Sequence, residues 1–173
     1  HIFNAMLQSA QYSQNTAVLR HSIPLVTKFD GEIVVERIGD KSELSKLYSN
    51  NPIRFIPATR SACFPTSAAL DIRYVTTAQF GPGIGGSNPD RSIRLHVKES
   101  CGICLTSATS TKIIKSKSDK PCNNIVDARV DDEGFLFFAP EPMMPSKGSF
   151  LKNLQSFELR QNSTVAALEW IIR

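Results

Sequence analysis

Apolar residues recur at every second position along much of this chain, the period of half-buried strands. In SIRLHVK, Ile93, Leu95 and Val97 share one parity and Arg94, His96 and Lys98 the other, so the first set is predicted to face a core. IVDARV repeats the arrangement with Val126, Ala128 and Val130. LDIRYVTTAQF sets Leu70, Ile72, Tyr74, Ala78 and Phe80 against Asp71, Arg73, Thr77 and Gln79. FLFFA reads as a more fully buried strand, and QSFELR and VAALEWII complete the set. Turn segments (GPGIGGSNPD, DDEG, PSKG) separate these runs at roughly ten-residue spacing, which predicts a mainly β fold: a sandwich, a barrel or a layered solenoid. The turns hold Gly, Pro and Asn, where a positive φ or a fixed bend is cheap. Helical signal is confined to DKSELSKLY, where Asp40 precedes Glu43 as in a capping box and Leu44 and Leu47 share a face, so at most a short helix is expected there. Residues 1–30 are predicted to be a poorly ordered segment, the first ~20 of them polar and aperiodic, ahead of one β-rich domain over residues 31–173. Residues 51–65, with three prolines, look like an excursion between strands, and no internal repeat is visible.

The 173 residues suffice for one domain with its own core. A hydrophobic fraction of 41% and a charged fraction of 21% exclude disorder of the whole chain. The formal charge is +4, but the basic residues are scattered apart from KIIKSKSDK at 112–120, which reads as a solvated loop, so nucleic acid is not an expected partner. No segment approaches the ~18 consecutive apolar residues of a membrane span, and HIFNAMLQSAQYSQNT lacks the layout of a secretory signal. The four cysteines, Cys63, Cys101, Cys104 and Cys122, fit reduced thiols in a cytoplasmic protein, because the chain is large and poor in cysteine. The sequon Asn162-Ser163-Thr164 points the other way. It keeps open an alternative, a small extracellular β-sandwich binding module with paired cysteines.

The candidate chemistry is thin. Cys101 and Cys104 form a CxxC, a spacing that zinc and redox sites use in tight turns, but in a strand residues three apart face opposite sides. The glycines at 81, 83, 85 and 86 precede a strand-like segment, so the helix dipole of a phosphate loop is missing, and they read as a structural loop allowing close backbone approach. His1, His21 and His96 have no serine in a G-x-S-x-G elbow to serve. Asp127, Asp131, Asp132, Glu133 and Glu141 read as ordinary strand and turn residues, which leaves a β-rich hydrolase as a remote third possibility. No catalytic set is expected.

The segment CLTSATSTKIIKS, residues 104–116, matches no nucleophile, metal or phosphate motif. Its place in the order of motifs is more telling. GEIVVERIGDKSELSKLYSNNPIRFI, YVTTAQFGPGIGGSNPDRSIRLHV, LTSATSTKIIKS, LFFAPEPMMP and ALEWIIR follow one another. This order resembles the urease accessory protein UreD family, also called UreH. That family has a glycine-rich loop ending in Gly-Asp, an LTT-x-x-x-TK-x-x-KS segment, a PDP-like turn and an acidic residue beside Trp. Leu105, Thr106, Thr111, Lys112, Lys115 and Ser116 match the central segment; Pro140-Glu141-Pro142 matches the turn with Glu for Asp, and Glu169-Trp170 the last pair. Pro82 and the insertion Ser87-Asn88-Pro89 before Asp90 depart from the family loop. Family chains are longer, so this one reads as the N-terminal portion of a divergent member.

The resemblance implies a β-rich solenoid-like fold and a chaperone for nickel insertion, not an enzyme. Its expected partners are UreF-type and UreG-type accessory proteins and apo-urease. No tightly bound cofactor is expected, only transient nickel passing along an internal polar path. The residues it nominates for lining that path or binding partners are Thr106, Ser110, Thr111, Lys112, Lys115, Glu141, Asp90 and Glu169. If residues 105–112 are one strand, Thr106, Ala108, Ser110 and Lys112 face one way, and Leu105, Ser107, Thr109 and Thr111 the other.

Overall fold

The computed structural model describes residues 4–11, 17–20, 26, 28–58, 71–79, 81, 83–87, 90–117 and 120–172. His1, His21, Cys63, Leu70, Phe80, Pro82, Asn88 and Pro89 lie outside the described residues.

Fifteen strands and no helix are described. From Ile72 onward the chain winds through three faces per turn. Strands β6 (Ile72–Gln79), β9 (Gly102–Ser107), β12 (Phe135–Ala139) and β15 (Thr164–Ile171) stack in parallel as the first face. The short strands β7 (Ile84–Gly86), β10 (Thr111–Ser116) and β13 (Met143–Pro145) stack as the second. The third face is β8 (Asp90–Val97), β11 (Cys122–Val130) and β14 (Leu151–Leu159). Ile72 lies opposite Gly102, Gly102 opposite Phe135, and Phe135 opposite Thr164, so successive coils are offset by 30, 33 and 29 residues. The fold is therefore the layered solenoid among the expected β architectures. Its repeat is invisible in the sequence because each coil needs only apolar residues at inward positions, not the same ones.

Two hairpins start the structure. Strand β3 (Gly31–Ile38) runs parallel to β8, with β4 (Lys41–Ser49) antiparallel on its outer edge, and β5 (Ile53–Pro57) pairs antiparallel with β6. Two strands are also described in the N-terminal segment, which carries no periodic signal. Strand β1 (Asn4–Gln11) pairs antiparallel with β15 from Asn4↔Ile171 to Gln11↔Thr164, and β2 (Ala17–Arg20) pairs antiparallel with β14. They cover edges of β15 and β14, which would otherwise offer free N–H and C=O groups.

The helix expected at DKSELSKLY is not formed; that segment is the strand β4. Gly39, at φ 64°, and Asp40 make a tight reversal that lays residues 41–49 beside β3. Eight described pairs with β3 outweigh a helix too short to be stable alone. As an edge strand, β4 carries Lys41, Glu43 and Lys46, charges that discourage pairing with another chain.

The main core fills the space between the first and third faces in columns one coil apart. Ile33, Leu95, Ala128 and Phe157 form one column, and Val35, Val97, Val130 and Leu159 the next. Opposite them stand Ile103, Leu136 and Val165, then Val75, Leu105, Phe138 and Ala167. Each fully buried Leu, Ile or Val contributes about 1.5–3 kcal/mol. Ile93, Leu95, Val97, Val126, Ala128 and Val130 face inward as their alternation predicts. Residues 72–79 have the opposite phase from that expected. Val75 is the buried residue, while Ile72 and Tyr74 are half-buried on the other side. One apolar side chain suffices for the core column here, and the same parity sends Gln79 to the polar row described below. A second apolar cluster, Ile84, Ile113, Cys122 and Met143, fills the corner behind the second face.

Candidate functional site

The hydroxyl-rich segment is not one strand. Residues 104–107 finish β9 on the first face, residues 108–110 bend, and β10 begins at Thr111 on the second face. The alternation expected across residues 105–112 is broken at that bend, where Ala108 and Thr109 are exposed. Its hydroxyls hold the corner to neighbouring coils. Thr76 and Thr106 place their Oγ1 atoms 3.4 Å apart, Thr77 Oγ1 donates to the Thr106 carbonyl at 3.0 Å, and Ser107 Oγ accepts the Glu141 N–H at 2.6 Å. Beyond the bend Thr111, Ile113 and Ser116 are buried, while Lys112 and Lys115 are exposed. The lysine cluster read as a loop thus begins in a strand.

The nominated residues do not converge on one point. Thr106, Ser110 and Glu141 lie at the corner between the first and second faces, and Thr111, Lys112 and Lys115 on the second face. Asp90 starts β8, exposed, its carboxylate accepting the Asn123 side-chain amide at 2.7 Å. Glu169, on β15, is joined to an internal polar row. Gly83 and Gly85 let β7 lie flush on β10: at φ 122° and 123°, a Cβ on them would overlap the carbonyl oxygens of Lys112 and Ile114. Gly81, at φ 104°, has open space around it, and Gly86 is at φ 62°.

Apart from Glu169, the members of the internal row were not among the sequence candidates. At the inward parity of three successive strands of the third face stand Arg91, Asn124 and Asn153, in register with one another. Arg91 Nε donates to Asn124 Oδ1 at 2.7 Å, Asn124 Nδ2 donates to Asn153 Oδ1 at 2.6 Å, and Asn153 Nδ2 donates to Glu169 Oε1. At the other end Arg91 Nη1 reaches Gln79 Oε1 at 3.4 Å, and Gln79 Nε2 is buried without an acceptor. Arg91 is 8% exposed and Asn124 3%. Burial pulls the guanidinium pKa down to about 10, opposed by the charge of Asp30, so it stays charged at neutral pH. The result is a one-directional donor chain from a buried cation to a carboxylate, crossing three coils. A polar residue at an inward position of an otherwise apolar strand, as in DRSIRLHV, CNNIVDARV and LKNLQSFEL, is the sequence signal that could have found it.

The cysteines are placed as strand geometry requires. Cys101 is fully buried in the main core, while Cys104 belongs to the opposite parity from Ile103 and Leu105. Cys101, Cys104 and Cys122 are unpaired, and burial pushes all three thiols up, which disfavours the thiolate a metal needs. The paired cysteines of a secreted module are not formed by these three. Among the described residues no group of three or more His, Cys, Asp or Glu is placed to hold a metal ion. Nor is any helix long and apolar enough to cross a membrane. His96 lies on the outer side of the third face, its Nε2 2.8 Å from Asp131 Oδ2, while Arg129 Nε donates to Asp131 Oδ1 at 2.7 Å. Burial raises the Asp131 pKa, but these hydrogen bonds and charges outweigh it and hold the carboxyl below its ordinary range.

The profile of the UreD urease accessory protein family matches residues 30–173. Urease accessory protein D of Arabidopsis thaliana is 26% identical over 141 residues, covering 82% of this chain and 46% of the relative. Urease accessory protein D of Oryza sativa subsp. indica is 22% identical over 140 residues, covering 81% of this chain and 44% of the relative. The chain thus spans a little under half the length of these curated relatives. The match begins one residue before β3 and takes in the hairpins, all three faces of the solenoid, the glycine loop and the polar row. The chain belongs to the UreD urease accessory protein family.

Proposed function

We propose that this protein is a cytoplasmic urease maturation factor: a scaffold, not an enzyme, that joins UreF-type and UreG-type partners on apo-urease while nickel is delivered. The observation that carries this reading is the family match over residues 30–173. The internal row adds a physical basis. An apolar interior bars an ion, whereas amide and carboxylate groups repeated coil after coil offer exchangeable partners along the solenoid axis. The oxygens of Gln79, Asn124, Asn153 and Glu169 each accept a hydrogen bond within the row, so a passing ion would displace those donors in turn, and the fixed charge of Arg91 opposes a dication beside it. Nickel is then a transient passenger, and Asn124 and Asn153 join Thr106, Ser110 and Glu169 as the proposed lining. Thr111, Lys112, Lys115, Glu141 and Asp90 are left as candidates for partner contacts.

The test is urease maturation with and without the full-length protein, co-expressed with the accessory partners and apo-urease. Nickel content and ureolytic activity of the purified urease should both fall several-fold when it is omitted. Equal nickel loading without it would overturn the proposal.

A further inference from the structure

Arg91 is a buried cation whose direct partners are neutral. Its Nε donates to Asn124 Oδ1 at 2.7 Å and its Nη1 to Gln79 Oε1 at 3.4 Å. A guanidinium carries five N–H donors, so three of them have no acceptor among the described residues. Among the described residues no carboxylate forms an ion pair with it either. Asp30 acts on it through charge alone, because Asp30 Oδ2 is taken up by the Ser92 N–H at 2.9 Å and the Ser92 hydroxyl at 3.0 Å. Arginines that lie this deep are ordinarily paired. Here the pairing is inverted. The more exposed Arg94, Arg129 and Arg160 meet Asp127, Asp131 and Glu158, while Arg91, 8% accessible, meets two amides. Gln79 adds a second orphan, since its Nε2 is buried with no acceptor. An amide nitrogen and oxygen lie about 2.3 Å apart, so Gln79 Nε2 is within about 6 Å of Arg91 Nη1. Turning the amide over would only set Nε2 against the guanidinium, donor to donor.

We propose that Arg91 and Gln79 form a binding site for a small planar oxyanion, of the size of formate or bicarbonate, at the end of the polar row opposite Glu169. Unused donors on a positive charge call for an acceptor that is negative. The unused guanidinium donors lie in one plane, which suits two coplanar oxygens better than a sphere or a tetrahedron. Gln79 Nε2 supplies a further donor from the side. Depth sets the size: Arg91 and Gln79 Nε2 are buried, so a free ion reaches them where a carboxylate carried on a partner's backbone does not. Glu169 bonds Asn153, which stands two strand spacings, about 10 Å, from Arg91, so its charge opposes the anion from a distance. Asp30 opposes it from nearer by, which sets the expected affinity at roughly millimolar. The site stands without the maturation role. Its one consequence there rests on that role: a seated anion cancels the charge by which Arg91 opposes a dication in the row.

The test uses the full-length protein with sodium formate as the probe, against sodium chloride at equal ionic strength. Binding is read from broadening of the formate proton signal in NMR. The wild type should broaden it saturably, and bicarbonate should compete the broadening away. Gln79→Glu keeps the shape of the side chain and sets a carboxylate against Arg91, a built-in substitute for the anion. It should weaken formate binding by about tenfold or more and raise the melting temperature in chloride. Gln79→Met, which only withdraws the side donor, should weaken binding less, and it carries the test if Gln79→Glu does not fold. Arg94→Met, on the outer side of the same strand, should bind like wild type. No saturable broadening by the wild type, unchanged binding in both Gln79 variants, or equal loss in Arg94→Met would overturn the proposal. Formate binding by a protein that urease maturation does not need would leave the site standing and sink only the maturation reading.

Discussion

Replacing Asn124 by leucine removes the central link of the polar row with little change in volume. Two neighbours are stranded. Asn153 Oδ1 loses its 2.6 Å donor, and Arg91 Nε loses its 2.7 Å acceptor, both in the interior. An unsatisfied buried acceptor costs about 1–3 kcal/mol, and a buried charge stripped of its partner about 3–5 kcal/mol. Arg91 keeps its 3.4 Å contact with Gln79, so the charge term is not fully lost. Relief by deprotonation is also bounded: a group with a pKa of about 10 costs about 4 kcal/mol to neutralise at pH 7. The expected total is about 3–5 kcal/mol, a large share of the ~5–15 kcal/mol that holds an ordinary domain together. Urea unfolding at pH 7, followed by circular dichroism, measures it. The diagnostic arm is the double variant Arg91→Met with Asn124→Leu. Removing the cation together with its acceptor leaves a nearly apolar site, so the double variant should be more stable than Asn124→Leu alone by about 1 kcal/mol or more. A loss below about 1 kcal/mol in the single variant, or strict additivity of the two changes, would refute the description of the row as a coupled buried chain.

Three further outcomes are expected. Gly85→Ala should lower the melting temperature by many degrees, at a cost above about 3 kcal/mol, because its Cβ overlaps the Ile114 backbone and its φ is 123°; Gly81→Ala, strained in φ but in open space, should cost less, and equal melting points would contradict the flush packing of β7. Asp131→Asn should cost about 1 kcal/mol at pH 7. Since the folded-state pKa of Asp131 is lowered, its contribution is present above the unfolded value of ~3.9 and disappears as pH falls through the folded value, so wild type and variant should converge in acid unfolding curves; a gap that persists at the lowest pH would argue against the His96–Asp131–Arg129 cluster. Deleting residues 1–20 should uncover the edges of β14 and β15 and raise the oligomeric size seen by light scattering, and an unchanged size would show that another element guards those edges.

The β class was legible because Ile93, Leu95 and Val97, and Val126, Ala128 and Val130, alternate cleanly against charged neighbours. Periodicity marks which residues alternate but not which strand lies next to which, so the three-faced winding was beyond it. The phase of residues 72–79 misled because Ile72 and Tyr74 look more buried than Val75 alone, and no single-strand pattern records that Gln79 is wanted inside. Residues 40–48 misled for a related reason: Asp40, Glu43, Leu44 and Leu47 satisfy a local helix rule, while the pairing that overrides it comes from β3. The family was carried by short motifs, Thr111-Lys112 and Lys115-Ser116 above all, whose chemistry at the level of single residues remained mute. The polar row escaped because Arg91, Asn124 and Asn153 each look like an ordinary polar strand residue until the coils are stacked in register.

The pairing of β1 with β15 sets a timetable for the protein's synthesis. Asn4 is made more than 160 residues before its partner Ile171. At roughly 5–20 residues per second that is a delay of about 10–30 s, during which β3 to β14 can wind coil upon coil using partners only about thirty residues apart. Throughout that interval the first strand has no place to dock, and a growing solenoid presents a fresh bare edge at every turn. Pairing comes in a single late event that ties β1 to the coil of β15. A nascent chain stalled anywhere before Thr164 therefore leaves β1 without its partner and the growing coil with a bare edge.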